Sequence, residues 1–332
     1  MTTVGKAQTF RGGVDASDLG ATLIHEHIFA GHPELDLNFP HPECDEAATV
    51  DRAVDGLERL WDLGIRTVFD LTVLGLGRDV RPVAEVAERT RVNLVASTGY
   101  YTTDVLPPFF KAHGPGRLVD GPDPLVEFFV RDIEEGVSGT GVRAAMLKVV
   151  TDRAGLTPDV ELVLSAAAAA QQHTGVPIAI HTHAPPQSGR EQLAYFRKLG
   201  VDPERLIIGH CGDSEDLDYL CELMDAGCTI GMDRFGMEHV LVDDRRIATV
   251  DHLLRLGYAE RMVLSHDAAV FSRTTPPSWR AEHAPHWHME NISHRIVPRL
   301  LETGASEEDL HQMLVGNPAR LLAPHPMRKT AP

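Results

Sequence analysis

Short apolar runs alternate with longer polar or amphipathic stretches along the chain. The runs are ATLIHEH from Ala21, IRTVFDL from Ile65, NLVASTGYY from Asn93, RAAMLKVV from Arg143, PIAIHTH from Pro177, LIIGHCG from Leu206, CTIGMDR from Cys228 and MVLSHDA from Met262. Most are near-continuously apolar and rich in branched residues, the pattern of strands buried on both faces. The stretches between them carry helix punctuation. DEAATVDRAVDGLERLWDLG ends in Gly64, and TPDVELVLSAAAAAQQHTG opens with a Thr cap and Pro158 and closes with Gly175. SEDLDYLCELMDAG starts at Ser214 and ends at Gly227. The alanine run 166–170 reads as a tightly packed helix face. Eight strands alternating with helices predict an α/β chain folded as a (β/α)8 TIM barrel. A doubly wound open sheet is the competitor, but no GxGxxG follows the first strand. No break in composition interrupts 15–325, so residues 1–332 are expected to form a single domain.

Composition narrows the classes of function. Hydrophobic residues make up 43% of the 332, enough for a full core. The net charge of −17 argues against a nucleic-acid partner, since phosphate binding needs a basic face. The N-terminus lacks a signal pattern and no apolar run reaches the length of a membrane span, so neither export nor a membrane partner is expected. Four cysteines without CxxC spacing fit reduced thiols and a cytoplasmic location. Eighteen histidines justify a search for ligand clusters.

His25 and His27 flank Glu26 in the first run. On a helix two residues two positions apart would diverge; on a strand they point the same way. The C-terminal strand ends, where barrels gather their chemistry, carry further polar residues. These are Lys148 on the fourth strand, His181 and His183 on the fifth, His210 on the sixth, Asp233 and Arg234 on the seventh and Asp267 on the eighth. Each has an ordinary structural reading: a satisfied core histidine, a salt-bridged or Schiff-base lysine, a helix-capping aspartate. Together, at the mouth of one barrel, they need compensating partners, because buried imidazoles and charges cost several kcal/mol when unsatisfied. Several imidazoles plus a carboxylate form a ligand set for zinc, iron, cobalt or manganese.

The order HxH on strand one, Lys on four, His on five and six and Asp on eight resembles the phosphotriesterase branch of the amidohydrolase superfamily. The likeness runs over roughly 15–322 and includes TLIHEHIF, IAIHTH, LIIGHCGDSEDLDYL, GMDRFG, VLSHD and MLVGNPARLL. It implies a hydrolase with two divalent metal ions per chain, zinc first, with cobalt, iron or manganese as alternatives. His25, His27 and Asp267 would hold the buried ion, and His181 and His210 the more exposed one. Lys148, as N6-carboxylysine, would bridge them. Spacing leaves His181 and His183 equivalent; the resemblance selects His181 and leaves His183 as pocket wall or support.

The family divides between phosphotriesterases and lactonases that open acyl-homoserine lactones. Arg234, after Asp233, matches the lactonase-like members, where the dedicated phosphotriesterase carries His. Tyr101 stands where the lactonases place a tyrosine near the metals. The resemblance therefore implies a lactonase with side activity on organophosphates and catalytic roles for Asp267, Tyr101 and Arg234. A dedicated phosphotriesterase or other ester hydrolase is the alternative, and a non-catalytic ligand-binding relative is the third reading. Its partners would be a small lactone or organophosphate ester and, by resemblance, a second copy in a homodimer. The long loop after Asp267 suits a lid or acyl-chain channel, with Phe271 and Trp279 as its expected apolar lining.

Overall fold

The computed structural model describes residues 6–183 and 187–323, so the ends of the expected 1–332 domain lie outside the described residues. Each apolar run contains a strand: β1 (Ala21–Ala30), β2 (Ile65–Asp70), β3 (Asn93–Gly99), β4 (Ala144–Val150), β5 (Ile178–His181), β6 (Leu206–Ile208), β7 (Thr229–Met232) and β8 (Met262–Leu264). A short β9 (Ala269–Ser272) follows. The strands are parallel, in the order β8-β7-β6-β5-β4-β3-β2-β1-β9. Because β9 lies back on β1, the sheet closes. The Asp267 N–H donates to the His25 carbonyl (3.0 Å) and the His27 N–H to the Ala268 carbonyl (2.8 Å). Closure removes the edge strands that a doubly wound sheet would expose and yields the barrel that the alternation predicts.

Alternate residues of each strand face opposite sides. Ile24, Phe69, Val95, Met146, Ala179, Ile207 and Val263 pack together in one cluster, while Val68, Leu94, Leu147, Ile178, Ile180 and Ile208 pack in another with residues of the surrounding helices. An N-terminal hairpin, Lys6–Thr9 with Gly12–Asp15, and the helix Asn317–Leu322 add Ala7, Leu321 and Leu322 to the first cluster. An apolar interior thus underlies the polar mouth.

The helix punctuation works largely as read. Helix Glu46–Asp62 is capped by Asp45, and helix Pro158–Thr174 by Thr157, ending on left-handed Gly175. Ala166, Ala167, Ala168 and Ala170 are buried, as a packed face requires. The third helix starts later than Ser214 suggests. Cys211–Asp213 form a 3-10 turn after β6, Ser214 ends it, and Asp216 caps the helix Leu217–Asp225. No helix among the described residues is long and apolar enough to cross a membrane.

Candidate active site

The site grows from the upper ends of the strands. Against β2, β1 shifts register between Leu23 and Glu26, just where the two histidines begin. Both rings then reach one carboxylate: His25 Nε2 lies 3.5 Å and His27 Nε2 3.2 Å from Asp267 Oδ1. Lys148 on β4 is buried, with Nζ 3.0 Å from His25 Nε2. Its place depends on Gly99 (φ +147°), where a Cβ would meet the Lys148 carbonyl oxygen at 1.8 Å. His181 closes β5, and its Nδ1 lies 2.8 Å from His210 Nε2. His210, Asp233, Arg234 and Asp267 stand just beyond their strands rather than on them. His210 (φ 58°) and Asp267 (φ 53°) adopt left-handed backbone, a cost that folds tolerate mainly at functional sites.

Asp233 organises the cluster, a role the sequence reading did not assign it. Its Oδ2 lies 2.6 Å from His25 Nδ1, and its Oδ1 lies 3.0 Å from His210 Nδ1 and accepts the His210 N–H at 2.7 Å. Burial opposes its charge, but His210 and His25 hold it well below the usual carboxylate range. His27 Nδ1 lies 2.9 Å from the Thr72 hydroxyl. The Asp233 carboxylate can only accept, so it places the protons of neutral His25 and His210 on Nδ1 and leaves their Nε2 lone pairs for a metal. The one sequence signal for Asp233 was a carboxylate at a strand end.

Burial and then Lys148 lower the His25 pKa to about 4. Burial, followed by His210, pushes His181 well below its usual value. Both rings are therefore neutral at neutral pH, the form that ligates metals. Burial brings Lys148 down to about 8. For Asp267, burial opposes ionisation, yet His25, His27, His210 and Arg234 together hold it well below the carboxylate range. Among the described residues, two groups could each hold a metal ion: His25, His27 and Asp267, and His25, His210 and Asp233. In the second, His25 and His210 present Nδ1 to Asp233. That is how an outer carboxylate orients ligands, so the inner Nε2 set with Asp267 fits an ion better.

Arg234 donates from Nε to Asp267 Oδ2 (3.2 Å) and from Nη1 to Asp213 Oδ2 (2.8 Å). Asp213 in turn accepts from the buried Arg246 (2.7 Å). Burial works against the Arg234 charge, and Asp267 and Asp213 outweigh it, raising its pKa. Tyr101 lies edge-on to His181, ring centroids 5.6 Å apart. Burial and then Asp267 push its phenol up to about 12, so it stays a donor. His183 lies outside this cluster; its Nδ1 is 3.6 Å from Asp152.

All eight predicted site residues except His210 line one cavity of about 330 Å³; His210 lies behind His181, fully buried. The expected lining is corrected. Phe271 is buried on β9 against His41, and Trp279 packs on His239 and His283. Trp287 lines the cavity instead, its indole N–H donating to the His266 carbonyl at 2.9 Å. The pairing of β9 with β1 takes Phe271 out of the loop.

A family model described as the phosphotriesterase family matches residues 5–322. The chain is 44% identical over 313 residues to a phosphotriesterase homology protein of Mycobacterium tuberculosis, covering 94% of this chain and 96% of that one. It is 35% identical over 312 residues to an aryldialkylphosphatase of Saccharolobus solfataricus, covering 93% and 97%. The solved structure of the phosphotriesterase from Mycobacterium tuberculosis has a TM-score of 0.93 at 44% identity, covering 96% of this chain and 98% of that one. Another, described as engineering of organophosphate hydrolysis activity from a weak promiscuous lactonase template, has a TM-score of 0.86 at 35% identity, covering 96% and 99%.

Proposed function

The chain belongs to the phosphotriesterase family, and from that premise we propose that it is a binuclear metal-dependent lactonase, acyl-homoserine lactones among its substrates, with promiscuous organophosphate hydrolysis. One observation carries this reading: four imidazoles, Lys148 and Asp267 converge at the barrel mouth, with Arg234 on Asp267 and Tyr101 beside His181. His25, His27 and Asp267 would hold the buried ion, His181 and His210 the second. Lys148 would be carboxylated: its neutral amine adds to CO2, a C–N bond forms, and the amine releases a proton. A pair of divalent ions, zinc first, would supply Lewis acidity and a water that ionises near neutral pH. Asp267 is the proton acceptor, with Arg234 orienting its Oδ2. We further propose one domain, a homodimer and a cytoplasmic location, as the resemblance and the sequence suggest.

Lactone is favoured over triester by the Tyr101–Arg234 wall. A lactone's leaving alkoxide stays tethered, within reach of a phenol that remains protonated up to about pH 12. A triester is bulkier and releases a free group. The relative described as a weak promiscuous lactonase template supports the same order. The test is kcat/KM on acyl-homoserine lactones and paraoxon-like esters side by side. Tyr101→Phe should cut the lactone value about ten- to hundredfold, the worth of one hydrogen bond of roughly 1–3 kcal/mol, and affect triesters less. A wild type that hydrolyses triesters far faster than any lactone would replace this reading with a dedicated phosphotriesterase.

A further inference from the structure

Glu26 stands between the two histidines and has no part in the roles above. It is fully buried, and its carboxylate grips the segment that carries Asp267. Oε1 accepts the His266 N–H at 2.9 Å and lies 2.7 Å from His266 Nδ1; Oε2 accepts the Ala268 N–H at 3.0 Å. Between those two amides sits Asp267, in left-handed backbone. No ladder joins β8 to β1. Besides the pairing of β9 with β1, the seam is closed by the main-chain bonds of His25 and His27, by Ser265 Oγ, which accepts the His25 N–H at 2.9 Å, and by this carboxylate. His266 is also fully buried, and its Nε2 accepts the Ile292 N–H at 2.9 Å. In the neutral ring, that acceptor role leaves the proton on Nδ1, which donates to Glu26.

Three donors thus converge on two carboxylate oxygens. Glutamine would turn an N–H2 toward a donor, and aspartate is one methylene short. We propose that Glu26 is a positioning residue for Asp267: by holding the peptide groups on both sides, it aims the Asp267 carboxylate at His25 and His27. The role rests on the function proposed above, and Glu26 acts through Asp267 without touching substrate.

The test compares Glu26→Gln with Thr67→Val. The control loses a buried hydrogen bond to the Leu19 carbonyl (2.6 Å) near the start of β2, away from the mouth. Metal-loaded Glu26→Gln should show kcat about 10–100-fold lower on lactone and triester alike, with KM little changed, and a chelator should strip its metals about tenfold faster. Thr67→Val should lower Tm only. A Glu26→Gln protein with wild-type kcat and wild-type chelation rate overturns the proposal. If Glu26→Gln does not fold, a histidine pair decides. His266→Asn keeps an N–H near the Nδ1 position and should release metal at about the wild-type rate; His266→Gln loses it and should release metal faster. Equal or reversed rates overturn the role. A wild type that holds no metal and opens no ester overturns the functional reading and this role with it. A competent wild type beside an unaffected Glu26→Gln overturns this role alone.

Discussion

Lys148 has its amine 3.0 Å from His25 Nε2, and burial brings its pKa to about 8. Ordinary lysines are almost wholly protonated at neutral pH and cannot add to CO2; a lowered pKa raises the neutral fraction there. A carbamate would also resolve an electrostatic problem at the proposed metal pair, since an ammonium beside two divalent cations would be repelled while a carbamate would be attracted. Lys148→Ala should therefore lose both metals and the activity, with short carboxylic acids restoring part of each. Metal analysis and kcat with and without the acids check this; full activity in the unrescued variant rules out the carbamate.

At the scale of elements, caps and strand lengths set where the side chains start. β6 and β8 are only three residues long, so the functional residues after them lie on irregular backbone that must be held by side chains. Asp233 and Glu26 do this from inside the barrel wall. The helices hold themselves by local rules. Asp45 accepts the Ala48 N–H at 2.9 Å at the start of helix Glu46–Asp62. Asp45→Ala should cost ~1 kcal/mol in urea unfolding and leave kcat unchanged, because the Asp45 side chain bonds the first turn of its own helix and none of the candidate ligands. An unchanged unfolding midpoint would show that the cap is not used.

At the scale of the whole molecule, the candidate ligands come from β1, β4, β5 and the segments after β6 and β8. Ions held there would tie together both sides of the seam. A ligand that binds only the folded state stabilises it by about 4 kcal/mol at a thousand times its Kd. For a chain of this size that corresponds to a Tm shift of several degrees per ion. Chelation should lower Tm by that order, and re-addition of metal with bicarbonate should restore it, as calorimetry would show. A Tm insensitive to chelator would mean that the barrel closes without the ions.

The alternation of apolar runs and capped helices was enough to read the barrel. Such signals are local: strand character, caps and glycine stops depend on residues a few positions apart. The candidate ligands came from the family resemblance; what the alternation itself supplied was that their residues end strands, and a parallel barrel delivers every strand end to the same mouth. Partnerships across the barrel were not legible. His25 meets Asp233 across 208 positions, and Glu26 meets His266 across 240. Spacing left His181 and His183 equivalent and the resemblance chose His181; where β5 ends sets the His181 ring 2.8 Å from His210 and leaves His183 beside Asp152. Trp287 replaced Trp279 at the cavity because β9 paired with β1 and redirected the loop. Hydrogen-bond partners belong to whichever segments become neighbours, so only closure of the barrel decided them.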